Sequence, residues 1–269
     1  MNYHSNEWIM DRVREHYNEA LEYFPEDRIV CLSLAGSQNY GLDMEGSDID
    51  TKLVVVPTFN DIVMNKRPVS TTHTRKNGEQ IGFHDVREYI PTFRKGNVNF
   101  VETLFSNYSI VNPVYAHEWN RLIENREAIA HYNIPRAIHA MRGTVCTKYK
   151  QITSTSDIRE KAIEKFGYSP KELYQLLRAD EFITRYIHGE PYASCLLSKQ
   201  QKHLKNVKCG TFTVNDALLM AKMSFDKTTE MCDKFLEICP KEVNKDVDTL
   251  LDNVQYNIKK IAIKKEIGD

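Results

Sequence analysis

The chain has 269 residues, 41% hydrophobic and 27% charged, with a formal net charge of −1. That is enough for one large domain or two modest ones, and only 11 Gly and 9 Pro argue against long low-complexity segments. The near-neutral balance gives no support to a protein that coats duplex nucleic acid without sequence preference, which is usually strongly basic.

The six cysteines, Cys31, Cys146, Cys195, Cys209, Cys232 and Cys239, include no Cys-x-x-Cys pair, so neither a zinc ribbon nor a thioredoxin-like site is indicated. The first residues, MNYHSNEWIMDRVREHY, lack a signal peptide's apolar core. The expectation is therefore a cytoplasmic protein with free thiols. No apolar run approaches the roughly 20 residues that span a bilayer, so no membrane association is expected.

Ser5 is placed to cap a first helix whose apolar face is Ile9, Val13, Tyr17, Ala20 and Phe24, ended by Pro25. Arg28 to Leu34 is apolar and β-branched enough for a buried strand. The segment 35–47 is Gly-punctuated and polar. Asp48 to Val56 is a second strand, stopped by Pro57. Val69 to Arg75 and Glu79 to Val86 flank Asn77-Gly78, the strongest short-range hairpin signal. The stretch DVREYIPTFRKGNVNFVETLFS then predicts two helical pieces broken near Gly96. From Asn112-Pro113 onward the pattern is helical, with another helix start at Ser169-Pro170. Two long amphipathic helices follow, Val214 to Cys239 and Val243 to Ile267, separated by Pro240. The expected fold class is α+β: a small mixed β-sheet with flanking helices over residues 1–112, then a mostly α-helical domain over residues 113–269.

The chemistry concentrates in LAGSQNYGLDMEGSDID, Leu34 to Asp50. A buried strand runs into Gly36-Ser37, where a glycine lets the backbone approach a phosphate and Ser37 adds a donor. Asp48 and Asp50 stand two apart at the start of the next strand, so their carboxylates share a face. Two carboxylates this close repel unless a cation lies between them. Mg²⁺ suits the pair, being a hard cation that keeps positions open for phosphate, with Mn²⁺ as a substitute. A two-metal displacement needs a third carboxylate. Asp85 is the best candidate, at the end of a hairpin strand able to neighbour the Asp48–Asp50 strand. Glu79 is weaker, and His84 should face the other way. Asp85 reads also as an N-cap for VREYIPTF, and a strand-to-helix junction is compatible with both roles.

The string GSQNYGLDMEGSDID resembles the signature of DNA polymerase β-like nucleotidyltransferases. Tyr40-Gly41-Leu42 and Ser47-Asp48 are closer to the branch of predicted nucleotidyltransferases that includes the RNA repair pathway DNA polymerase β family. DVREYIPTFRKGNVNFVETLFS looks like the same branch. GYSPKELYQLLRADEF is similar to its helical motif of Lys and Arg seven residues apart. The resemblance implies that Gly36 and Ser37 hold a triphosphate. It implies further that Asp48, Asp50 and Asp85 bind metal, and that Lys171 and Arg178 reach the nucleotide phosphates. Two departures bear on the acceptor: Thr51-Lys52 stands where an acidic or Arg-Gly continuation is expected, and Gln175 where His is common.

The function these features predict is transfer of an NMP from an NTP to a hydroxyl, with pyrophosphate leaving. Between His131 and Gly210 there are fourteen Lys or Arg against seven Asp or Glu. This surplus serves either a polyanionic ligand or merely solvated helix faces. It favours an RNA or tRNA end as acceptor, with a protein acceptor (an AMPylation-type modifier) as the alternative. A nucleotide-binding sensor or adaptor without turnover is the alternative from another class.

Overall fold

A computed structural model describes residues 2–268. In chain order the elements are α1 (Asn6–Ala20), β1 (Ile29–Ala35), β2 (Asp50–Val55), α2 (Phe59–Val63), β3 (Ser70–Thr74) and β4 (Gln80–Asp85). Then come α3 (Val86–Phe93), α4 (Val98–Val101), β5 (Ser109–Val111), α5 (Ala116–Glu124), α6 (Arg126–Ala130) and α7 (Ile134–Gln151). The remainder is α8 (Glu160–Phe166), α9 (Pro170–Ile187), α10 (Tyr192–Leu196), α11 (Gln201–Lys208), α12 (Val214–Ile238) and α13 (Lys245–Ile267). The fold class is α+β, as the periodicities predict.

The chain forms two compact units. One comprises residues 2–39, 43–133 and 242–268; the other comprises residues 40–42 and 134–241. The first is built on a five-stranded sheet of order β3-β4-β2-β1-β5. β1 is antiparallel to β2 and β5, β3 is antiparallel to β4, and β2 and β4 run parallel. Ser5 caps α1 by accepting a hydrogen bond from Trp8 N at 3.1 Å. Ile9, Val13 and Ala20 then recur on one face and bury against Leu32, Leu34, Leu53, Val55, Ile81 and Phe83. The helix ends at Ala20, before Pro25, and Phe24 packs edge-on to Phe83 with ring centroids 5.1 Å apart. β5 stands where the sequence offered no strand signal. It is three residues long, too short for a visible alternation, and it forms because its edge of β1 is open.

In the second unit α9 is central. Leu173, Leu176 and Ile183 are fully buried on it, and it packs against α7, α10, α11 and α12. Among the described residues no helix is long and apolar enough to cross a membrane.

Candidate functional site

β1 delivers the chain to Gly36 and β2 begins at Asp50, and the two strands pair so that Ala35 faces Asp50. The Gly-Ser turn and the aspartates therefore stand at the same end of neighbouring strands. Gly36 has φ +118°, a conformation that strains any L side chain, while a Cβ there would meet nothing closer than Gln38 Oε1 at 3.7 Å. The glycine is required for its dihedral, and the backbone beside it is open. Ser37 begins a 3-10 turn, Ser37–Tyr40.

Asp48, expected to open the strand, lies two residues before β2, in the loop that leads into it, and its side chain is exposed, so it does not share a strand face with Asp50 as the spacing predicts. Its carbonyl accepts a hydrogen bond from Gln38 Nε2 at 2.8 Å, which ties the aspartate loop to the Gly-Ser turn. Gln38 is buried, and its Oε1 has no donor among the described residues. Asp50 Oδ1 accepts from the backbone N–H of Gln80 at 2.9 Å, so the first residue of β4 fixes the carboxylate's orientation. Gln38 and Gln80 carry no chemical signature in the sequence. The first is recognisable only through its contacts, the second only through strand register.

The structure separates Asp85 from this pair, which corrects the expected triad. β4 does neighbour β2, but in parallel, with Thr51 opposite Ile81 and Val55 opposite Asp85. Asp85 is thus five residues along β2 from Asp50, roughly 16 Å at the rise of a strand. The register also sets it with Thr51, Leu53 and Val55, the face opposite Asp50. An antiparallel pairing would have reversed β4 and brought its last residue toward Asp50. Instead Asp85 caps α3, accepting from Arg87 N at 2.8 Å, and pairs with the Arg87 guanidinium at 2.7 Å. It is 1% exposed. Of its two compatible roles, the N-cap is the one the fold uses.

Glu79 is the other acid at the aspartate end. Its Oε1 accepts from Ile49 N at 3.2 Å. Its Oε2 is held by Arg12, Arg75 at 2.8 Å, Asn77 at 2.8 Å and His16 at 3.0 Å. Burial opposes its charge, but these donors outweigh that and hold its pKa down at about 2. A carboxyl with a depressed folded-state pKa stabilises the protein above its unfolded value and loses that contribution as pH falls toward the folded one. Stability should therefore decline between pH 4.5 and pH 2, and Glu79→Gln should flatten this decline in urea unfolding curves taken from pH 2.5 to 7. An unchanged slope would show that the network does not hold Glu79 ionised.

On the Asp50 face of the sheet, Lys52 lies half-buried with Nζ 5.4 Å from the Phe100 ring centroid. Burial lowers its pKa and Asp50 opposes that effect. His84 shares this face, in register one pair further along, contrary to the sequence-based expectation. Its ring lies close over Gly82, where a Cβ would meet Nε2 at 2.9 Å. Burial, then the charge of Lys52, pushes its pKa down to about 4.

Among the described residues, no three His, Cys, Asp or Glu side chains group to hold a metal. Two carboxylates beside an open glycine turn do not make a protein cage. An ion held there would have to take most of its oxygens from water and substrate phosphate.

In the other unit, Lys171 is exposed on α9, and Arg178 lies two turns further on the same face. The Arg178 guanidinium lies over the Tyr40 ring, 3.4 Å from its centroid. Neither cation has a carboxylate partner within 4.0 Å among the described residues.

A family model described as the RNA repair pathway DNA polymerase beta family matches residues 9–179. The match runs from α1 through the sheet to one residue beyond Arg178, and so takes in every candidate site position. No curated protein matches the chain. With well over half of its length matched and a Gly-Ser turn set against an Asp-x-Asp strand start, the chain belongs to the RNA repair pathway DNA polymerase beta family, a nucleotidyltransferase-like family.

Proposed function

We propose that the protein is a nucleotidyltransferase that moves an NMP from an NTP to a hydroxyl of an RNA end, in the cytoplasm, with pyrophosphate as the leaving group. One observation carries this: the register of β1 on β2, which sets the Gly36-Ser37 turn beside Asp50. Backbone N–H groups of the turn and the Ser37 hydroxyl would donate to triphosphate oxygens. Asp48 and Asp50 would supply the oxygen donors for Mg²⁺ or Mn²⁺. The bound ion would offset phosphate charge and lower the acceptor hydroxyl's pKa. Lys171 and Arg178 are assigned to the phosphates by resemblance and by their lack of a carboxylate partner. Rate enhancement would come chiefly from positioning and fixed charge.

The displacement of Asp85 favours a second reading, an NTP-binding sensor without turnover, because among the described residues no three acidic side chains group there and Glu79, at the same end, is engaged by Arg12, Arg75, Asn77 and His16. The two separate when the protein is incubated with each α-labelled NTP, Mg²⁺ and total RNA. Label in RNA together with released pyrophosphate is expected. Mg²⁺-dependent NTP binding by calorimetry, with neither label transfer nor pyrophosphate, would establish the sensor instead.

A further inference from the structure

Part of the Lys and Arg surplus of residues 131–210 is neutralised by ion pairs. Arg142 pairs with Asp233, Lys148 with Glu172, and Arg185 and Lys199 with Glu190. Among the described residues, cations without a carboxylate within 4.0 Å also stand on α8 and α9, among them Lys165 and Lys171, but the segment around α11 is the one that is free of acids. From Pro191 to Asn215 the chain contains no Asp or Glu, but has Lys199, Lys202, Lys205 and Lys208. Lys202 is exposed and Lys205 half-exposed, and among the described residues neither has a carboxylate within 4.0 Å. Lys208 lies over the Tyr174 ring, 5.6 Å from its centroid.

At the start of this helix is an open groove of about 390 Å³ lined by Lys199, Gln200, Lys202, His203 and Asn206. Every lining side chain is charged or a polar hydrogen-bonding group, and the His203 ring stands edge-on to Phe212 at 5.6 Å. Cations for phosphates, amides for sugar and base edges, and a ring for stacking are the groups that single-stranded nucleic acid uses.

We propose that α11 and the groove at its start form the surface on which the phosphate backbone of the RNA acceptor docks. The proposal rests on RNA being the acceptor. It does not depend on the aspartate site.

The test is fluorescence anisotropy of the full chain with a labelled 12-nucleotide RNA strand and with an RNA hairpin, without NTP or divalent metal, at 50 to 300 mM salt. The variants are Lys202→Glu/Lys205→Glu and, as a control of equal charge change, Lys222→Glu/Lys234→Glu on α12, whose lysines pair with Asp226 and Glu230. The α11 variant is expected to bind at least about tenfold more weakly at 50 mM salt. Its log K against log salt slope should be shallower by about 1.4 for the single strand, two phosphate contacts at roughly 0.7 each. The hairpin arm tells whether a strand or a duplex supplies those phosphates. Binding by the α11 variant within about twofold of wild type would overturn the proposal, as would an equal loss in the α12 control. Competition by a polyglutamate peptide as strong as by RNA of equal charge would overturn it in favour of an acidic protein. Asp50→Asn should bind RNA like the wild type, so a protein that binds on α11 yet transfers no nucleotide would defeat only the transferase assignment.

Discussion

Asp50→Asn should reduce incorporation of labelled NMP into RNA by at least about a hundredfold, the scale on which a transition-state electrostatic group is lost, while the protein stays folded. The amide oxygen can still accept the Gln80 N–H, so the hydrogen bond that orients the side chain is kept and only the charge is removed. Asp50→Ala loses both, and should add a stability cost of about 1 kcal/mol to the same kinetic defect. Asp48→Asn should match the kinetic loss with almost no change in thermal midpoint, because its carboxylate is exposed. Rates measured on protein of verified circular dichroism decide the matter. Wild-type incorporation by Asp50→Asn would mean that this carboxylate holds no reactive phosphate or ion.

Asp85 should give the converse pattern. Asp85→Ala removes the cap of α3 and leaves Arg87 without its carboxylate. A lost N-cap costs about 1 kcal/mol, and loss of a charge-assisted pair to a buried carboxylate roughly 1.5–3 kcal/mol more. The expected destabilisation is about 2.5–4 kcal/mol, read from the urea midpoint. Asp85→Asn should lose less, since asparagine also caps well. Incorporation per folded molecule should stay within about threefold of wild type in both variants, a range set by indirect effects of a site roughly 16 Å away. A hundredfold loss in folded Asp85→Asn would restore Asp85 to the site and contradict the parallel register.

Asp48 and Asp50 are near neighbours in the chain, and Gly36 follows the strand that pairs with β2, so the placement of the turn beside Asp50 was legible from local signals; the start of β2 at Asp50, which leaves Asp48 in a loop, was not. The hairpin around Asn77-Gly78 was legible for the same reason, as were α12 and α13, whose long apolar periodicities end within two residues of prediction. β5 was not, because three residues carry no period and its pairing partner lies some eighty positions earlier. Gln38 and Gln80 matter only through what they touch.

Asp85 failed for a subtler reason. Its strand and its neighbour strand were both identified, yet the direction in which β4 lies along β2 decides which end of one meets which end of the other. No local pattern encodes that direction. It follows from the crossover through α2 and β3, which delivers β4 to the sheet pointing the same way as β2.

By itself the sequence determined the α+β class, most of the elements and the place of the glycine turn between the first two strands, because each depends on residues close together or on a regular period. Tertiary structure alone decided that Asp85 caps a helix, that Glu79 is held by two arginines and a histidine, and which lysines keep an uncompensated charge. Those outcomes depend on strand direction and on partners far away in the chain, and only packing sets either.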